Sequence, residues 1–175
     1  MIVFMTRNCN EHQLLDKVHC LRTRFDAHEV LRQYSRMHTE LETILNRLLE
    51  AERAGHQLLD AMSQETSNPQ LKALFADITD VEVSDVSVLE GLIRLHGGHP
   101  SPKVGDFVDR ALRLDNLNDQ ISLLSRGQAW VARKVEQALA LHPPPDIAAF
   151  LKEMANRHRH NMEWARAEAI QVFDK

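Results

Sequence analysis

Residues 68–98 read NPQLKALFADITDVEVSDVSVLEGLIRLHGG. Asn68 followed by Pro69 marks a helix start. The Asn side-chain oxygen accepts from the free N–H groups of a first turn, and Pro lacks an N–H that this turn has no use for. Gly97-Gly98 marks the matching stop, because glycine reaches the left-handed conformation that ends a helix. Between them Leu71, Phe75, Ile78, Leu89 and Leu92 recur at alternating spacings of four and three, the seam by which one bundle helix packs on its neighbours. Two positions of that seam are not apolar: Glu82 and Asp85.

The same punctuation continues on both sides. Thr39-Glu40-Leu41-Glu42 fits a capping box, and the spacing predicts a first helix from Thr39 to about Glu65 with the seam Leu41, Leu45, Leu48, Glu52, Gly55, Leu59 and Met62. Beyond Gly98, Pro100 and Pro102 mark a loop, followed by a short helical piece over about 106–112. A third long helix is expected from Asp115 to Leu141, with the seam Leu117, Ile121, Leu124, Gln128, Val131, Val135 and Ala138. Pro143-Pro144-Pro145 ends it. Asp146 then caps a fourth helix to about Phe173, with Ile147, Leu151, Met154, His158, Asn161 and Ala165 facing inward. Residues 1–36 are only weakly periodic and read as an N-terminal extension, helical or partly disordered, ahead of a bundle over 37–173. Two short links and one long one make the fold all-α: an antiparallel four-helix bundle with one long crossover between helices 2 and 3.

Composition narrows the function classes. At 43% hydrophobic and 26% charged residues, the chain can bury a core. Six Gly and six Pro in 175 residues, mostly gathered at the helix breaks, exclude a β fold rich in turns. Aromatic residues at 5% and a net charge of −4 leave neither the stacking platforms nor the basic footprint of a nucleic-acid partner. No apolar run approaches the ~20 residues of a membrane span, so no membrane partner is expected. Cys9 and Cys20 lack ligand or redox spacing and read as free thiols of a reducing compartment, which predicts a cytoplasmic protein.

The interruptions of the four seams repeat. Glu52 to Glu82 and Gln128 to His158 are both 30 residues; Glu82 to Asp85 and His158 to Asn161 are both three. Helices 1–2 and 3–4 therefore read as two copies of one hairpin, the first carrying E…ExxD and the second Q…HxxN. Buried polar groups are costly unless partnered, and charged ones more so. Six of them facing one another at matching depth imply a site or a satisfied network.

At these residues the chain resembles the ferritin-like (rubrerythrin-type) superfamily, in an uncharacterised bacterial branch. The resemblance rests on Glu50-Ala51-Glu52-Arg53-Ala54-Gly55, on Glu82-Val83-Ser84-Asp85-Val86-Ser87-Val88-Leu89-Glu90, on Arg126-Gly127-Gln128-Ala129-Trp130-Val131 and on His158-Arg159-His160-Asn161. It implies a pattern of Glu on one helix and Glu-x-x-His on the next, given twice and binding two irons. Matched residue by residue, Glu52 and Glu82 keep that pattern. Asp85 stands in place of the first His, Gln128 in place of the third Glu, and His158 and Asn161 in place of the second Glu-x-x-His. The implied di-iron motif is thus degenerate.

Three carboxylates and one imidazole suit one divalent ion better than two. Oxygen ligands with a single His favour Fe or Mn. The candidate metal ligands are Glu52, Glu82, Asp85 and His158, with Gln128 and Asn161 completing a polar network around them. Two functions follow. One is a binding or structural module that has lost iron chemistry. The other is a mononuclear Fe- or Mn-binding protein with redox or oxygen chemistry at the bundle centre. A third reading makes the cluster a small-molecule pocket with His158 as general base. Arg126, Arg133 and Arg157 lie near enough in sequence to pair with a carboxylate. His96 and His99 read as a surface pair, and Glu90 as an outer-face charge. Trp130 and Trp164 are expected at helix seams. Ile44 and Leu58 either widen the core or form the face of a homodimer.

Overall fold

The computed structural model describes the backbone of residues 10–173 and the side chains of residues 37–163, with a few side chains before them. Cys9, and the side chains of Cys20, Trp164 and Ala165, lie outside the described residues. The chain divides into two compact units between Thr39 and Glu40. What is described of the first is helix, with Glu29 and Arg32 paired at 3.2 Å along one face. The second unit carries the core.

The elements are α1 (Asn10–Glu65), α2 (Pro69–Leu95), α3 (Phe107–Ala111), α4 (Leu117–Ala140) and α5 (Pro145–Phe173). All described regular structure is helical. Asn68 caps α2 as expected, its side chain accepting from Gln70 N at 2.9 Å and Leu71 N at 3.3 Å. Gly97 ends α2 with φ at 79°. The first helix does not begin at Thr39. That residue lies inside a continuous helix, with no free N–H groups to cap, and its hydroxyl donates to the Ser35 carbonyl at 3.0 Å. This is the back-bond a Thr makes in a helix interior. Asp146 likewise lies within the first turn of α5 rather than before it, and its carboxylate accepts from His96 Nε2 at 2.8 Å. His96 therefore joins the end of α2 to the start of α5 instead of forming a surface pair with His99.

Two apolar clusters build the core. Leu41, Leu45, Leu48 and Leu49 of α1 pack with Leu89 and Ile93 of α2, with Val131 and Val135 of α4, and with Ile147, Leu151 and Met154 of α5. Leu58, Leu59 and Met62 of α1 pack with Leu71, Leu74, Phe75 and Ile78 of α2, and with Ile121 and Leu124 of α4. Each buried Leu contributes roughly 1.5–3 kcal/mol. The described seam residues are buried, apart from Leu92 and Leu117, which are half-buried. Leu49, Leu58, Leu74 and Ile93 flank them and are equally inside. Leu58 and the half-buried Ile44 widen the core.

The long crossover between α2 and α4 is tied to α1. Glu42 accepts from His99 N at 2.8 Å; Asn46 donates to the His99 carbonyl at 3.1 Å and accepts from Ser101 N at 2.6 Å. Glu50 takes the Ser101 hydroxyl at 2.6 Å, and its own carbonyl accepts from Gly105 N at 3.1 Å. Arg53 donates to the carbonyls of Ser101 and Lys103 and pairs with Glu90 at 2.5 Å. Glu90, also bonded to Arg94 at 2.7 Å, is thus a half-buried anchor and not a solvated charge.

Candidate metal centre

All six interruptions of the seams are buried: Glu52, Glu82, Asp85, Gln128, His158 and Asn161. They lie between the two apolar clusters, with their side chains almost wholly withdrawn from the surface. Helix periodicity places them there. A residue three or four positions after an inward Leu must also point inward, whatever its polarity.

Within this layer, one ligand atom each from Glu52, Asp85 and His158 lie within 4.8 Å of one another. His158 Nε2 is 3.3 Å from Glu52 Oε1 but not aligned for a hydrogen bond. Glu52 Oε2, Glu82 Oε2, Asp85 Oδ2 and His158 Nε2 all lack a hydrogen-bond partner among the described residues. A cation among Glu52, Asp85 and His158 would satisfy such unpartnered atoms; Glu82, expected as a fourth ligand, stands outside that group. Asn161 Nδ2 is also without a partner there.

Gln128 organises the layer. Its amide nitrogen donates to Glu82 Oε1 at 2.7 Å, so its oxygen faces His158 Nδ1 and accepts from it. The proton of a neutral His158 is thereby held on Nδ1, and the Nε2 lone pair is turned toward Glu52. A histidine ligand is commonly oriented in this way, through the nitrogen that does not bind the ion. The Glu82 carboxylate occupies space left by Gly55, where a Cβ would stand 2.2 Å from Glu82 Oε2. A glycine at an inward mid-helix position costs about 1 kcal/mol against Ala. A glycine in the seam is thus a signal, not drawn on in the sequence, that a neighbouring side chain needs its space.

The charges are strongly perturbed. Burial, then the neighbouring Glu52, hold the Glu82 carboxyl well above its ordinary range against the opposing Gln128 bond, with Asp85 adding to the rise. Burial and Glu52 also raise Asp85, against the Arg157 guanidinium and His158. For His158, burial disfavours the charged ring, yet Glu52 and Asp85 outweigh it and raise the imidazole. Arg157 Nη2 donates to Asp85 Oδ1. Of the three arginines read as potential partners, Arg157 is the one that meets the cluster. Arg126 and Arg133 are exposed.

A single cation fits this donor set. Three carboxylates less the Arg157 guanidinium leave two negative charges, which one divalent ion neutralises.

Residues 39–168 match the domain of unknown function DUF6306. No curated protein matches the sequence. Among solved structures, a ferritin like, diiron-carboxylate protein from Bacillus anthracis str. Ames is similar, with a TM-score of 0.66 and 15% identity over 76% of this chain and 97% of that one. At that identity the likeness speaks for the fold, which is the bundle with one long crossover that the helix order displays. The chain belongs to the DUF6306 family and folds as a ferritin-like, all-α bundle.

Proposed function

We propose that the protein is a ferritin-like bundle that holds one divalent transition-metal ion, Mn or Fe, through Glu52, Asp85 and His158, with Glu82 as the adjoining carboxylate. The observation that carries this reading is the set of unpartnered ligand atoms in a buried layer, with His158 Nε2 left as an acceptor by the Gln128 contact. Such an ion would supply one-electron redox chemistry at the bundle centre. Gln128 orients the imidazole and holds Glu82. Arg157 limits the net charge so that a second ion is not required. The two apolar clusters flank the layer on either side.

The competing reading, a metal-free binding or structural module, is favoured by the Arg157–Asp85 ion pair, which already answers one carboxylate from within the chain. Metal analysis of the protein purified without chelator separates the two. About one equivalent of Mn or Fe per chain, with thermal stabilisation on adding Mn²⁺, supports the metal centre. Absence of both sinks it in favour of the module.

A further inference from the structure

A cavity of about 600 Å³ opens beside the polar layer, within the roughly 300–1,000 Å³ of small-molecule sites. Glu52, Glu82 and Gln128 line it, each at most 5% exposed, beside the equally buried Leu124 and Val131. Asp85 and His158 do not line it, so the cavity reaches the cluster from the Glu52–Glu82 side alone. The walls are apolar: Phe107 of α3 and Leu123, Leu124, Trp130 and Val131 of α4.

The outer part is cationic. Arg47, Arg110, Arg126, Arg133 and Lys134 line it, against Glu50 and Asp106. Glu50 is already engaged by Ser101 and by Arg47 at 3.4 Å. Arg110 and Lys134 lie over the Phe107 and Trp130 rings, at 6.0 and 5.6 Å from the ring centres. Among the described residues, Arg126 and Arg133 make no ion pair, and seven residues apart they lie along one face of α4. In a chain of net charge −4, this gathering of cations at one mouth stands out.

We propose that this cavity binds a small organic anion, an apolar body ending in a carboxylate, with the carboxylate at the Arg126–Arg133 mouth and the body between Phe107 and Trp130. The mouth supplies charge-assisted hydrogen bonds, which are the stronger kind. The walls supply apolar burial. None of this requires an ion at the neighbouring centre.

Calorimetric titration of the full chain with phenylpropanoate, phenylpropanol and phenylpropylamine compares one body with three head groups. Phenylpropanoate is expected to bind about tenfold more tightly than phenylpropanol, with an affinity that falls on adding NaCl, and the amine is expected not to bind. The R126E/R133E chain loses the preference for phenylpropanoate; R126Q/R133Q serves if that variant does not fold. Equal binding of the acid and the alcohol, no binding of any probe, or undiminished phenylpropanoate binding by the variant overturns the proposal. Mn²⁺ uptake is read in the same samples. Mn²⁺ uptake without phenylpropanoate binding overturns the cavity proposal alone, and phenylpropanoate binding without Mn²⁺ uptake overturns the metal centre alone.

Discussion

The two hairpins of the bundle place side chains at the same depth and spacing but give them different charge. The α1–α2 hairpin contributes Glu52, Glu82 and Asp85, all anionic when ionised. The α4–α5 hairpin contributes the neutral amides Gln128 and Asn161 and the His158 imidazole, whose proton Glu52 and Asp85 favour, with Arg157 beside them. Position is therefore set by the helical repeat, while charge sets how many cations the layer can hold. One half supplies the negative charge and the other orients and limits it. Even the flanking positions follow this division. Gly55 clears space for the Glu82 carboxylate, whereas the equivalent position of the second hairpin holds the buried Val131.

The largest test of that division is metal-dependent stability. Mn²⁺ at about a hundredfold over its Kd is expected to stabilise by about 2.7 kcal/mol, a Tm rise on the order of 5–10 °C. His158→Ala removes the one nitrogen ligand and should abolish the rise; Asn161→Ala should keep most of it. Thermal melts with and without Mn²⁺ decide this, and a full rise in the His158 variant would break the assignment of roles between the hairpins.

Next in size is Gly55→Ala. The added methyl meets the Glu82 carboxylate, and overpacking of this kind costs about 1–3 kcal/mol. Urea denaturation should show that loss, and most of it should vanish when Glu82→Ala is combined with it, since the two residues share one space. Additive losses would mean that Gly55 is needed for another reason.

A smaller, directional effect concerns pH in the metal-free chain. Glu82, Asp85 and His158 all hold protons more tightly in the folded state than in the unfolded one. Stability is then greatest below the ordinary carboxylate range. It falls as pH rises through the ordinary values toward the raised ones. Glu82→Gln should make that fall shallower and leave stability at neutral pH unchanged or higher. Bound Mn²⁺ displaces these protons, so it should reverse the slope. A metal-free chain that gains stability with rising pH over this window contradicts the charge assignment.

The smallest effect lies in the link between α4 and α5, where His142 adopts a φ of 52°. Gly there removes left-handed strain but adds freedom to the unfolded chain, so His142→Gly should gain about 0.5 kcal/mol net. The link between α1 and α2 has no positive-φ residue, and a glycine placed at Ser67 should only destabilise.

Much of this was legible in the residues. A bundle imposes a seven-residue rhythm, so a Glu or His falling on the beat is conspicuous, and the repeated 30-residue interval tied the interruptions together. Leu49, Leu74 and Ile93 fall outside the two-in-seven seam because bundle helices bury a wider stripe, the one on which Leu58 is legible beside its seam. The start of α1 was misplaced because Thr39-x-x-Glu42 can cap a helix or sit inside one, and local sequence does not distinguish the two. Arg157 was seen only as one of three candidates, since a long side chain next to an inward position reaches either water or the cluster. The ties from α1 to the crossover were invisible. They join residues some 50 positions apart through single polar contacts that leave no periodic trace.

Those ties have a consequence for traffic. With Glu42, Asn46, Glu50 and Arg53 holding residues 99–105, swinging the segment before Phe107 aside as a flap would break these contacts together. Phe107 itself rests on Gly127, where even a methyl group would stand 2.9 Å from the ring. A ligand of the proposed cavity would then be selected by its size and charge, and not by waiting for a loop to open.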